Sequence, residues 1–105
     1  IAKEVRSILL SDLSQNHTAR ELAERFQIGE TSLKNYFRGV FGENLSVWLR
    51  EARMRRAAEL LRDTDLRVAE IAEQVGYENQ SKFAAVFAKQ FGCPPLEYRR
   101  RARLD

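Results

Sequence analysis

The chain contains its own copy. The stretch "ARELAERFQIGETSLKNYFRGVFG", residues 19–42, recurs as "VAEIAEQVGYENQSKFAAVFAKQFG", residues 68–92. Ahead of the corner at "QIGE" the offset is 49, pairing Leu22 with Ile71, Ala23 with Ala72, Phe26 with Val75 and Ile28 with Tyr77. Beyond it the offset is 50, pairing Leu33 with Phe83, Phe37 with Phe87, Phe41 with Phe91 and Gly42 with Gly92. Trp48 then pairs with Tyr98. The second copy therefore has one extra residue in its corner. Eight apolar or glycine matches in register exceed chance, so whatever this chain folds into is built from two like units.

Each copy has the pattern helix, turn, helix. Thr18 with Glu21 fits a capping box, which starts a helix near Ala19. Leu22, Ala23 and Phe26 then recur at helical spacing, with the small Ala23 and Ala72 where crossing helices press close. "QIGE" turns the chain, and Gly29 is expected to supply the positive φ of the turn, as Gly76 does in the second copy. A second helix is expected from about Glu30 to Val40, with Leu33, Phe37 and Phe41 inward and Gly42 as its C-terminal cap. Gly92 has that capping role in the second copy.

Between the copies "LSVWLREARMRRAAELLR", residues 45–62, holds no Gly or Pro, and Asn44 is placed to cap it. A helix of about 17 residues spans about 26 Å. Its apolar residues lie on more than one side, as a helix packing on both copies requires. Val5, Ile8, Leu9 and Leu13 form one stripe before the first copy, and Pro95 opens a last helix at "LEYRRRA". The expected fold is all-α, with about seven helices. Two helix-turn-helix subdomains, 1–44 and 63–105, are joined by a linker helix over 45–62.

Composition narrows the function. At 105 residues the chain is one domain or two small units sharing a framework, and six Phe, one Trp and three Tyr suffice to fill a core. No run approaches the ~18 apolar residues of a membrane span. No metal-ligand cluster, catalytic triad or phosphate-cradling glycine loop is present, and His17 is the only histidine, so neither an enzyme nor a cofactor or metal is expected. The lone Cys93 excludes an internal disulfide and reads as a small, partly buried residue. The net charge of +3 is modest, but arginine is concentrated at Arg50, Arg53, Arg55 and Arg56 and again at Arg99, Arg100, Arg101 and Arg103. Arginine suits bidentate phosphate contacts.

Helix–turn–helix is the geometry that places its second helix in the DNA major groove. The inner face holds that helix on its bundle, and the outer face must offer hydrogen bonds to base edges. Thr31, Lys34, Asn35 and Arg38 fall at i, i+3, i+4 and i+7, opposite Leu33 and Phe37. Asparagine can bind adenine bidentately, lysine can reach guanine or phosphate, and threonine can bond a base or touch a thymine methyl. In the second copy Asn79, Gln80, Ser81 and Lys82 crowd the helix start. The later outward positions Ala84, Ala85 and Ala88 are small, and Ala85 can touch a thymine methyl. Thr18, Arg53, Lys89, Arg99 and Arg100 are candidate phosphate contacts.

The segment "IAEQVGYENQSKFAAVFAKQFGCPPLEYRR" resembles the second half of the AraC/XylS-type DNA-binding domain of bacterial transcription regulators. The resemblance rests on Ile71, Ala72, Gly76, Tyr77, Phe83, Phe87, Phe91, Gly92, Pro95, Tyr98 and Arg99, and it extends through the linker segment "ARMRRAAELL". It implies that one chain binds an asymmetric duplex site, with both reading helices in successive major-groove segments about 34 Å apart, and that a stiff linker shorter than this bends the DNA. By position the readers would be Thr31, Lys34 and Asn35, then Gln80, Ser81, Lys82 and Ala85. Some relatives carry Arg at the Ala85 position and Trp at the Thr31 position, so site preference does not transfer. The resemblance also implies an activator that touches RNA polymerase in the bacterial cytoplasm, at the nucleoid. An N-terminal effector or dimerisation domain is expected ahead of Ile1. The rival is a helical protein–protein module, which would bind its partner without a steep salt dependence. RNA is less suited, because no aromatic stacking platform is evident.

Overall fold

The computed structural model describes residues 1–104, and over them it is helical with no strand. The helices are α1 (Ala2–Ser11), α2 (Ala19–Arg25), α3 (Glu30–Phe41), α4 (Leu45–Asp63), α5 (Val68–Gln74), α6 (Gln80–Phe91) and α7 (Pro95–Ala102). The expected all-α class, with its two helix-turn-helix pairs α2–α3 and α5–α6, is what the chain adopts. The chain divides into two compact units between Arg50 and Glu51, inside α4.

The first unit is built on Val5 and Leu9 of α1, Leu22 and Ala23 of α2, and Leu33 and Phe37 of α3, with Leu45, Trp48 and Leu49 of α4 packed against them. The second is built on Met54, Ala57 and Leu61 of α4, Ile71 and Ala72 of α5, and Phe83 and Phe87 of α6, with Phe91 and Tyr98 alongside. Thus α4 supplies its first turns to one core and its later turns to the other, which is why its apolar residues occupy more than one side. Met54, Ala57 and Leu61 repeat the i, i+3, i+7 spacing of the buried Ala2, Val5 and Leu9, so the later part of α4 does for the second unit what α1 does for the first.

The duplication reaches the aromatic contacts. Phe37 meets Phe41 at 4.7 Å between ring centroids and Trp48 edge-on at 5.4 Å. Phe87 meets Phe91 at 4.6 Å and Tyr98 edge-on at 5.4 Å. Each such pair contributes about 0.5–1.5 kcal/mol beyond its area burial. Phe37 and Phe87, at the centre of these triads, are fully buried and tie α3 and α6 to their cores.

Both corners are Schellman motifs. The Ile28 N–H donates to Ala23 O at 3.0 Å and the Gln27 N–H to Glu24 O at 3.1 Å. In the second copy Tyr77 donates to Ala72 O at 2.8 Å and Gly76 to Glu73 O at 3.1 Å. The motif requires its left-handed residue directly after the helix cap, and that residue is Gln27 (φ 56°) in the first unit and Gly76 (φ 91°) in the second. The expectation that Gly29 takes the positive φ is therefore corrected: Gly29 is extended (φ −72°, ψ 153°) and is the N-cap of α3. Gly42 and Gly92 do close α3 and α6 in the left-handed conformation, at φ 76° and 80°. Pro95 opens α7 at its first turn, as its missing N–H allows.

Candidate nucleic-acid interface

On α3 the buried row of Leu33 and Phe37 holds the helix down, and Thr31, Lys34, Asn35 and Arg38 are all exposed on other faces. Two of the four have partners. Lys34 Nζ lies 3.0 Å from Glu30 Oε1, one turn back on the same helix. Arg38 Nη2 donates to Asn44 Oδ1 at 2.9 Å. Exposed ion pairs of the first kind are worth about 0.2–1 kcal/mol, so Lys34 can leave Glu30 for a base or phosphate at little cost. Asn44 was expected to cap α4. Its side-chain oxygen is instead engaged by Arg38, and its backbone carbonyl accepts the first α4 bond, from Trp48 N at 2.9 Å.

On α6 the buried row is Phe83 and Phe87. Gln80, Ser81, Lys82 and Ala85 are exposed, whereas Ala84 and Ala88 are half-buried rather than outward. Asn79, the counterpart of Gly29, is the N-cap of α6, and its Oδ1 accepts the Lys82 N–H at 3.0 Å. The Asn79 side-chain oxygen is thus engaged by the helix end, and its amide N–H groups are the uncommitted donors. The first unit has no such cap at Gly29.

The candidate phosphate contacts separate into two groups. Lys89 and Arg100 are exposed, with Arg100 only loosely paired to Glu97 at 3.9 Å. Thr18 Oγ1 accepts the Glu21 N–H at 3.0 Å and so caps α2. Arg53 is half-buried, and burial pulls its guanidinium below the ordinary value, opposed by the Tyr77 phenol. Arg99 does other work. Its Nε donates to Leu61 O at 2.9 Å, and its Nη2 to Thr64 O at 3.1 Å and Leu66 O at 2.6 Å. It closes the C-terminal end of α4 and pins the α4–α5 loop, so its donors point into the protein. Arg103 assists, with Nη1 3.0 Å from Asp65 Oδ1 and Nη2 donating to Thr64 O. No sequence signal separates these two arginines from their neighbours Arg100 and Arg101, because the carbonyls they meet lie more than thirty residues away.

A family model described as a helix-turn-helix domain matches residues 22–101. The activator RhaR of Mannheimia succiniciproducens is 35% identical over 95 residues, covering 90% of this chain and 34% of the relative. RhaR of Yersinia pseudotuberculosis is 34% identical over 97 residues, covering 92% and 33%. The chain belongs to the AraC-type helix-turn-helix family. It spans about a third of the length of these curated relatives. Among solved structures, the C-terminal domain of the response regulator AraT of Geobacillus stearothermophilus superposes with a TM-score of 0.90 at 34% identity, covering 95% of this chain and 84% of that one. The DNA-binding domain of the transcriptional factor AdpA, solved with a target DNA, superposes with a TM-score of 0.91 at 27% identity, covering 98% and 93%. AraC-type domains are DNA-binding transcription regulators rather than an enzyme class. Among the described residues no helix is long and apolar enough to cross a membrane, and no group of three or more His, Cys, Asp or Glu could hold a metal.

Proposed function

We propose that this chain reads an asymmetric duplex site as a single chain, with α3 and α6 in successive major-groove segments. The observation that carries the reading is the paired arrangement of the two copies. Each sets a fully buried aromatic row, Phe37 or Phe83 with Phe87, beneath an exposed polar helix start. In α3 the base-reading set is Thr31, Lys34 and Asn35, with Arg38 available when it leaves Asn44. In α6 it is Gln80, Ser81, Lys82 and Ala85, with the Asn79 amide at the helix start. Lys89 and Arg100 are the phosphate contacts that remain accessible. Transcription is activated, as the activator names of the relatives support, through a contact with RNA polymerase in the bacterial cytoplasm. The short share of those relatives that the chain spans supports an effector or dimerisation domain in the rest of the regulator.

Selection of binders from a random duplex pool, at two salt concentrations, tests this. Enrichment of two boxes about 10 base pairs apart is expected. Enrichment of one box would reduce one copy to a phosphate grip. Salt-sensitive binding without enrichment would refute the reading and leave a non-specific DNA binder, and no binding would refute it in favour of a helical protein–protein module.

A further inference from the structure

The first unit holds a cavity of about 470 Å³ lined by His17, Ala19, Lys34, Asn44, Leu45, Ser46 and Leu49. It lies beside the reading helix, because Lys34 belongs to both. Its wall is divided by chemistry. Ala19, Leu45 and Leu49 are apolar, whereas His17, Lys34, Asn44 and Ser46 each carry a hydrogen-bond donor. The Asn44 oxygen is engaged by Arg38, and the two amide N–H donors of that side chain remain available. Lys34 is paired with the Glu30 carboxylate on the exposed face. Donor-bearing side chains beside apolar ones, in a space with ample room for it, can seat a sugar–phosphate unit.

The second unit supplies an internal control. At the corresponding positions Leu66, Ala84, Pro94 and Leu96 replace His17, Lys34, Asn44 and Ser46, and Arg99 replaces Leu49. The register is secure, because Thr18 and Arg67 are the two N-caps, and Leu45 and Pro95 open α4 and α7. Every polar side chain of the cavity rim is lost, and the one polar residue gained directs its guanidinium to the carbonyls of Leu61, Thr64 and Leu66. Aliphatic residues and proline at all four positions cannot hold an anion through their side chains.

We infer that the cavity of the first unit seats a phosphate group with its sugar, taken from the DNA backbone beside the first box, and that the second unit has no equivalent seat. This rests on the duplex-reading function proposed above. It makes the two halves of the site unequal in kind: the first half seats a backbone phosphate in a cavity, whereas the second holds the backbone only through surface cations such as Lys89 and Arg100.

Asn44→Asp is the main test, since it keeps an oxygen for Arg38 while replacing the N–H donors with a negative charge. Ser46→Ala removes a donor without adding charge, and Leu96→Ala is the control in the second unit. Affinities are measured on the selected duplex and on scrambled duplexes over a range of salt. The wild type must first prefer the selected duplex, which tests the parent reading separately. Asn44→Asp is expected to lose about tenfold or more on every sequence alike, and its log–log salt slope is expected to fall by about 0.9, the value for one phosphate. Ser46→Ala should follow with a smaller uniform loss, and Leu96→Ala should change affinity less than twofold. A loss confined to certain bases of the first box would overturn the inference, as would an unchanged salt slope in Asn44→Asp. An equal effect of Leu96→Ala would overturn the asymmetry. A nucleoside monophosphate titrated against the labelled free protein separates the sources. Amide shifts near residues 17, 34, 44 and 46 with an unchanged DNA salt slope in Asn44→Asp would assign the cavity to a free phosphorylated molecule instead and overturn the backbone seat.

Discussion

Arg99→Leu gives the sharpest test of the structure, because the first unit already carries leucine there, as Leu49. Read from its position in an arginine run, Arg99 would grip phosphate, and its loss would weaken DNA binding while leaving the fold intact. The structure predicts the reverse. The guanidinium makes three part-buried bonds, at 2.9, 3.1 and 2.6 Å, to carbonyls at the end of α4 and in the loop that follows. Bonds to a charged group contribute about 1.5–3 kcal/mol each. Three made by one side chain are not independent, and the exposed edge of the loop lets water replace part of them. A loss of about 2–4 kcal/mol in the second unit is therefore expected, far above the ±0.5 kcal/mol of an ordinary surface change. Urea unfolding followed by the single Trp48 would report mainly the first unit, so amide hydrogen exchange over α5 to α7 is the better assay. Faster exchange there, with α1 to α3 unchanged, is expected. The affinity of the remaining folded protein should keep its salt slope. Unchanged exchange with a slope reduced by about 0.9 would show that Arg99 holds phosphate and would refute the structural role.

Other predictions follow from the corners and caps. Gly76→Ala forces a Cβ into φ 91° and should cost about 1–2 kcal/mol by thermal unfolding, whereas Gln27→Gly should gain at most about 0.5 kcal/mol, since relief of the left-handed penalty is offset by added freedom in the unfolded chain; equal and opposite effects would contradict this. Asn79→Ala removes the α6 cap and should cost about 0.5–2 kcal/mol of stability, visible as faster exchange at the Lys82 amide. Asn35→Ala and Gln80→Ala should each relax preference in a different box by about 1–3 kcal/mol, measured by competition among single-base variants of the selected site; a uniform loss across sequences would make either residue a phosphate contact.

Much of this fold is legible because its determinants repeat. The pairing of Phe37, Phe41 and Trp48 with Phe87, Phe91 and Tyr98 is visible as matched letters, and the two aromatic triads have nearly the same centroid distances. Burial follows from helical spacing, so the inward and outward faces of α3 could be assigned without coordinates. The corner was less legible. Glycine is the residue that tolerates a positive φ most easily, so Gly29 drew the assignment, yet the Schellman hydrogen bonds place that conformation two residues earlier and impose it on Gln27. Local preference lost to the hydrogen-bond geometry of the helix end.

The proposed reading surface divides along the same line. Exposed residue types on a helix face are a local property, and the sequence determined by itself that Thr31, Asn35 and Ala85 stand opposite buried rows and that Gln80 sits at a polar helix start. Which polar groups are already engaged is not local. Arg99 and Arg100 are neighbours of the same chemistry, but one is directed to carbonyls some thirty-five residues back and the other to solvent. Asn44 is drawn to Arg38 instead of its own helix. His17, Lys34 and Ser46 come together around one cavity only because α2, α3 and the start of α4 share a core. Periodicity and repetition are enough to fix where a side chain points. Only the tertiary structure decides what it meets there, because a hydrogen bond depends on the arrival of a partner whose position in the chain carries no local mark.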